Sequence, residues 1–399
     1  MPRLGLTWFG PGVLVLLSSG AVTASPPLAE VPSLTLPTAN WILEVGQAER
    51  AEHEELSGLI RAAASGEMAT LARILEEEGG NPNAVGPVLQ DGLRVSPLGV
   101  AAARGDVAMV RVLLKSGAVP NGPPGARPPL WNAAVACRLD VTQVLVNHGA
   151  SVSIRRGIRG MTPLLAACQG SCPSVARLLI EHGADPHAGT IDGVTPLMAA
   201  AWWGSPSVLQ ELLRHDPDLL ATDHTGHDGV YFAALRGHAD CLKLLLDAGA
   251  TADRATIHGW TALMAAARSG CTSCVTLLLD HNADPDASLP DGWSPMQEAA
   301  RHCHADVMKQ LLAVGASVGI TRSRWPTLDE AVRSGCPEAM RVLLESDAGL
   351  HAGSRHVEAA AHQIKAKVEA AAASPAVQVR LAECQRVLDE ARKRAEETF

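Results

Sequence analysis

Aromatic residues are scarce: eight Trp, three Phe and one Tyr in 399 residues, 3% of the chain. A β-sandwich core leans on aromatic and β-branched side chains, so this composition argues against one. Ala and Leu carry an apolar content of 47% instead, which favours close packing of helices through small residues. No Cys precedes Cys137, which excludes a lipid anchor on a cysteine at the head of a mature chain. No Asn-x-Ser/Thr triplet occurs, so glycosylation offers no clue to compartment. Charge of one sign is not in great excess: 33 basic and 42 acidic side chains give −9. A mildly acidic chain has no general reason to bind nucleic acid or an anionic membrane. Gly-x-Ser-x-Gly, Walker-type and Rossmann glycine patterns are absent. So is His-Glu-x-x-His, since His53-Glu54-Glu55 has no second His at the needed spacing. Glu76-Glu77-Glu78 reads as a solvated helix end. The expectation is a chain that is not an enzyme and needs no cofactor.

Residues 1–24 differ from the rest. Arg3 precedes an apolar stretch from Leu4 to Leu17, interrupted by Gly10-Pro11-Gly12, and Val22-Thr23-Ala24 offers compact residues before a cut. This pattern suits a secretory signal peptide cleaved after Ala24. Fourteen apolar residues are short for spanning about 30 Å of hydrocarbon, and no later segment is long and apolar enough to span a membrane. The expected location is secreted or periplasmic. Residues 25–50 form a Pro- and Ala-rich linker.

From there the chain repeats itself. Thr195-Pro196-Leu197-Met198-Ala199-Ala200-Ala201 recurs as Ser96-Pro97-Leu98, Thr162-Pro163-Leu164, Thr261-Ala262-Leu263 and Ser294-Pro295-Met296, each followed by an Ala-rich stretch. Weaker copies begin near Gly58, Pro129, Gly229 and Thr327. With anchors at 58, 97, 129, 163, 196, 229, 262, 295 and 327, all steps after the first fall between 32 and 34 residues. The first step is six residues longer, an insertion around Val85 to Gln90. The eighth residue after the anchor is Gly in most copies, for example Gly105, Gly204 and Gly270. A second apolar segment then ends in Leu-Leu, and Gly-Ala or Asn-Ala follows.

Pro presets φ at the first turn of a helix, and Ser or Thr before it is a good cap. Gly after the Ala-rich run supplies a left-handed helix end. Each unit therefore reads as helix, turn, helix and a hairpin-like loop, stabilised by stacking on its neighbours.

Asp192-Gly193-Val194-Thr195-Pro196-Leu197 and Gly183-Ala184-Asp185-Pro186, in this order and spacing, resemble the ankyrin-repeat family over residues 57 to about 350. The resemblance implies an all-α ankyrin-repeat solenoid of about nine helix-turn-helix repeats, over residues 51–353, that binds a protein partner on a concave face. The His that usually follows Thr-Pro-Leu in the family is missing. Gly99, Leu165, Met198, Met264 and Gln297 stand there, so apolar packing is expected in place of its hydrogen bonds.

Residues 354–399 leave the repeat. Val357, Ala361, Ile364 and Val368, then Val377, Leu381, Cys384, Leu388 and Ala391, mark two amphipathic helices broken at Pro375. They would form a pair that caps the last repeat, or, as the sharper alternative, the seam of a homodimer.

Nine cysteines invite three readings: small buried residues, disulfides or a metal site. Cys271 and Cys274 form a CxxC, and Cys168 and Cys172 lie within one repeat; these two pairs are the disulfide candidates. Cys172, Cys271 and Cys336 share the ninth position after their anchors. Stacked helices lie about 8–10 Å apart, whereas a disulfide needs Cα atoms within about 4.4–6.8 Å, so equivalent positions in adjacent repeats are expected not to pair.

Six and seven residues after each anchor, side chains should face the groove: Arg104, Trp202, Trp203, Arg236, Arg268, Arg301, His302 and Arg333. Trp260 and Trp293 follow the loop glycines. Arg and Trp are enriched in interface cores, and this row is the expected contact surface for a partner offering acidic and apolar or Pro-rich groups. Two other readings stay open: a Cys-rich accessory protein with a redox or metal role through Cys271, Cys274, Cys303 and Cys336, and a self-assembling structural protein.

Overall fold

A computed structural model describes residues 58–89, 92–155, 157, 159–319, 326–346, 358–364 and 375–398. The signal peptide and linker expected at 1–50 lie outside the described residues, as do Val357 and Val368.

The described residues form nine helix pairs. The first helices are α1 Gly58–Ser65, α3 Pro97–Arg104, α5 Pro129–Val135, α7 Pro163–Gln169, α9 Pro196–Trp203, α11 Gly229–Arg236, α13 Ala262–Ser269, α15 Pro295–Arg301 and α17 Pro326–Ser334. The second helices are α2 Met68–Glu76, α4 Val107–Lys115, α6 Leu139–Asn147, α8 Pro173–Glu181, α10 Pro206–Leu213, α12 Ala239–Asp247, α14 Thr272–Asp280, α16 Ala305–Ala313 and α18 Pro337–Glu345. No strand forms among the described residues, and only isolated backbone bridges such as Ala255 with Thr261 join the loops. The architecture is an ankyrin-type solenoid.

The expected start signals act as such. Ser96, Thr162, Thr195 and Thr261 accept bonds from the backbone N–H three residues on, at 3.1–3.3 Å. Ser294 and Gln297 cap reciprocally. Each such bond satisfies a helix-end donor that otherwise has no partner. The paired alanines behind them (Ala166 and Ala167, Ala199 and Ala200, Ala265 and Ala266) have no exposed surface. Met198, Leu165 and Met264 are buried where the family's His would stand. Small inner residues let the first helices approach one another more closely than the second helices do.

The second to eighth repeats each place a left-handed residue at two positions. One is the eighth position, where Gly204, Gly237 and Gly270 have φ of 67–72°. The other is the twentieth, where Gly117, Gly149, Gly183, Gly249 and Gly315 all have positive φ and nothing within 4 Å of an added Cβ. The requirement there is conformational and not spatial. Asp216 fills that position in the fifth repeat at φ 46°. Asp216→Gly is therefore expected to stabilise the protein by roughly 0.5–1 kcal/mol, read as a higher denaturation midpoint with an unchanged slope.

The last repeat is covered by the tail. Residues 358–364 are helical, and α19 (Pro375–Thr398) packs on α18. Ile364, Leu381, Cys384 and Leu388 are buried, and Leu381 approaches Gly335 where the next repeat would lie. Arg394 reaches Glu345 at 3.3 Å. Of the residues expected on the amphipathic faces, Ala361, Ile364, Leu381, Cys384 and Leu388 are buried.

Candidate functional site

The row expected to line the groove divides by exposure. Trp202, Trp260 and Trp293 are 9%, 6% and 9% exposed, so their indoles belong to the packing between repeats. Trp203 is half-buried. The physical reason is the alanine-rich neighbourhood. Small residues on adjacent first helices leave space that a large apolar ring fills, and burial of the ring is favourable wherever it can reach. Trp202 packs edge-on against Phe232, with ring centroids 5.4 Å apart. Trp202→Ala would open a cavity, so it does not serve as a surface probe.

The arginines stay outside and are tethered. Arg236 is exposed, its guanidinium carbon 4.9 Å above the Trp202 ring. Among the described residues no carboxylate pairs with it. Arg301 lies 5.5 Å from the Trp293 ring centre. Arg104 Nη1 donates to the Ala64 carbonyl at 2.5 Å, and Arg333 pairs with Glu330.

Glu298, on α15, gathers much of the rest. It is 1% exposed. Trp293 Nε1 donates to Oε2 at 2.6 Å, Arg268 Nη1 donates to Oε1 at 3.2 Å, and His302 Nε2 lies 3.2 Å from Oε1. Burial would raise its carboxyl, but hydrogen bonds from His302 and Trp293, with the charges of His302 and Arg268, hold it below the ordinary carboxylate range. Glu330, its counterpart one repeat on, is pushed up by burial instead, with Arg333 opposing. Arg268 and His302 are thus committed to an internal ion cluster. Sequence reasoning missed Glu298. The signal was present: it is an acid at the third position after the anchor, where Ala166, Ala199 and Ala265 stand in other repeats.

The loops form a hydrogen-bonded edge beside this face. Ile191 N–H donates to the Arg159 carbonyl, His224 N–H to that of Asp192, and Ile257 N–H to that of Thr225, at 3.0–3.3 Å. Ile191 and Ile257 are 59% and 67% exposed along it. Behind them, buried Asp223 accepts from the backbone N–H of Thr225 and of His227, each at 2.9 Å, and fixes one turn.

The cysteines do not form the Cys168–Cys172 candidate pair. Cys137 pairs with Cys172, and Cys303 with Cys336, across adjacent repeats with Cα atoms 5.2 and 5.5 Å apart. The pairing is offset: the eighth position of one repeat meets the ninth of the next. Helix axes are well separated, but the turn after one first helix steps toward the cap of the next second helix. Ser171 and Ser205 hydrogen-bond through the same offset at 2.6 Å. His238 and His304 likewise crowd Gly204 and Gly270. Cys168, expected as a partner for Cys172, is a free buried thiol that burial pushes up. Cys271 pairs with Cys274 within one repeat, Cα atoms 5.2 Å apart. Among the described residues no three His, Cys, Asp or Glu side chains converge to hold a metal, and no helix is long and apolar enough to cross a membrane.

Comparison with known proteins bears on this geometry. A family model for ankyrin repeats in three copies matches residues 154–223 and 208–288, and a single ankyrin-repeat model matches 291–323. The chain is an ankyrin-repeat protein. This ankyrin array is 29% identical to a Rickettsia felis protein described as an ankyrin repeat protein, over 33% of the chain and 59% of the relative. It is 40% identical to ankyrin repeat and SOCS box protein 11 of Danio rerio over 23% of the chain and 31% of the relative. With ankyrin repeat and KH domain-containing protein mask-1 of Caenorhabditis elegans it shares 34% identity over 22% of the chain and 3% of that protein. The crystal structure of the human ASB11 ankyrin repeat domain superposes with a TM-score of 0.50 at 26% identity, covering 55% of this chain and 97% of that one. The chain thus spans less than two thirds of each curated relative's length. Ankyrin repeats generally mediate protein–protein interaction and typically form non-enzymatic scaffolds.

Proposed function

We propose that this ankyrin array is a protein-binding scaffold of a secretory compartment, secreted or periplasmic, whose first-helix face takes an acidic segment of a partner. The observation that carries this reading is Arg236: an exposed guanidinium held in place by the Trp202 ring, with no carboxylate among the described residues paired to it. A stacked guanidinium loses little freedom on binding and still presents its fork of donors, which matches a carboxylate. The exposed Ile191 and Ile257 on the neighbouring loop edge add apolar contact for the same partner. Three inter-thiol bonds and a leader-like N-terminus agree with an oxidising compartment.

The test uses a displayed random-peptide library against the chain starting at Ser25. Wild type should enrich peptides containing Asp or Glu. Arg236→Ala should weaken those peptides roughly 10- to 100-fold, the worth of a charge-assisted hydrogen bond, while the unfolding midpoint stays within about 1 kcal/mol of wild type. Peptides selected equally well by both proteins would remove Arg236 from the interface. Sequencing the N-terminus of protein recovered outside the cytoplasm tests the cut after Ala24.

A further inference from the structure

We infer that Cys271 and Cys274 form a thiol–disulfide exchange site that oxidises a dithiol in a peptide or unfolded protein chain. The inference does not depend on the scaffold reading, and its assay contains no binding partner.

Cys137–Cys172 and Cys303–Cys336 each join neighbouring repeats through the offset of eighth to ninth position. Cys271 occupies the same ninth position, but the residue facing it one repeat back is Gly237, which has no thiol to offer. An added Cβ on Gly237 would lie 3.6 Å from the Cys271 Cβ, so the geometry for a third inter-repeat bond exists and is unused. Cys271 bonds instead to a residue three positions on, within one helical turn. That bond holds no two repeats together.

Its placement suits exchange. Cys271 is the cap of the nine-residue helix α14, and its Sγ accepts the Cys274 N–H at 3.1 Å. A helix N-terminus favours negative charge on sulfur, the form in which a thiol reacts and leaves. The two residues differ in access: Cys271 is half-buried, and Cys274 is fully buried. One sulfur can therefore be reached by a substrate, while the other is held in reserve. Gly270 and Thr272, the residues flanking Cys271, line a groove of about 530 Å³ together with Cys303, His304, Lys309 and Arg341 of the next repeats, while Cys271 and Cys274 themselves do not line it.

The reaction balances without another reagent. A substrate thiolate attacks Cys271 Sγ. A substrate–Cys271 bond forms, the Cys271–Cys274 bond breaks, and Cys274 sulfur leaves with the electron pair and takes up a proton. The second substrate thiolate then attacks the substrate sulfur of the mixed disulfide and expels Cys271, which is protonated in turn. The substrate dithiol is oxidised to a disulfide and the Cys271–Cys274 disulfide is reduced to two thiols, a transfer of two electrons and two protons.

The full chain from Ser25 is incubated with a reduced peptide carrying two cysteines, and peptide oxidation is followed together with alkylation and mass mapping of the protein. The expected result is one equivalent of peptide oxidised per chain, with new thiols at Cys271 and Cys274 and none at the two inter-repeat pairs. Cys271→Ser keeps a good helix cap and should slow peptide oxidation at least 100-fold. Folded Cys274→Ser, incubated separately with oxidised glutathione, should form a mixed disulfide between Cys271 and one glutathione while the other leaves as its thiol. Peptide oxidation by Cys271→Ser at the wild-type rate, or thiols appearing at all three pairs together, overturns the inference. So does the absence of any glutathione adduct on Cys271 in folded Cys274→Ser.

Discussion

Replacing both inter-repeat disulfides, with Ser at Cys137, Cys172, Cys303 and Cys336, is expected to cost about 7 kcal/mol and to lower Tm on the order of 10 °C. Each bond closes 33 or 35 residues, for which loop-closure entropy in the unfolded chain is worth about 3.5–4 kcal/mol. A backbone contribution distinguishes this from a generic crosslink. Cys137 and Cys303 stand at φ 57° and 65°, in the position other repeats give to Gly. A left-handed non-Gly residue costs roughly 1 kcal/mol, which the crosslink offsets and a serine does not. Cys303→Gly with Cys336→His reproduces the junction of Gly270 with His304, whose Nε2 lies 3.1 Å from the Arg268 carbonyl. That pair should recover about 1–2 kcal/mol relative to the double serine. Calorimetry of the wild-type, four-serine, Cys303→Ser/Cys336→Ser and Cys303→Gly/Cys336→His chains reads the differences. Equal melting of the two replacement pairs would show that the offset junction has no conformational preference.

Glu298→Ala is expected to destabilise the protein by about 3–5 kcal/mol, because removing one member of a buried ion cluster leaves the others unpaired. Trp293 would lose the acceptor for its Nε1, and Arg268 and His302 would face each other without an anion. Glu298→Gln keeps the shape and an acceptor for Trp293, so its loss should be smaller. The pH dependence follows from the depressed carboxyl. The folded chain binds that proton less readily than the unfolded chain does. Its stabilisation is therefore complete above the ordinary carboxylate range and disappears as pH falls through the lower folded value. Denaturant titrations of wild type and Glu298→Gln at neutral pH and at pH 3–5 should converge toward the acid end. A constant gap between the two curves would show that the carboxylate's charge contributes nothing. Glu330, pushed up by burial, has the opposite sign: its ionisation opposes folding as pH rises through the carboxylate range.

Most of the architecture was legible because each repeat restates it. Thr195-Pro196, Gly204 and the alanines of α9 each specify a local event: a capped start, a left-handed end and a close-packed flank. Every one depends on neighbours within a turn or two. The tail was legible in the same way, since Leu381, Cys384 and Leu388 mark one face of one helix. The face with the arginines and tryptophans was readable in position but not in exposure. Periodicity placed Trp202 and Arg236 at the same end of successive first helices, yet could not say that one ring would sink between repeats while the guanidinium remained outside above it. Glu298 went unnoticed because its partners come from three positions, Arg268, Trp293 and His302, whose convergence depends on how two repeats stack.

Local periodicity alone determined that this chain is a stack of helix pairs, where each helix begins and ends, and that helical tail segments follow the last repeat. Those features rest on short-range hydrogen bonds and backbone preferences, which a linear pattern records. The stacking offset was decided only in three dimensions. It joins Cys137 to Cys172 and Cys303 to Cys336, leaves Cys271 opposite a glycine, and buries the indoles beneath the arginines. The distance between a turn in one repeat and a cap in the next depends on the tilt and rise of packed helices, and no spacing along the chain encodes that distance.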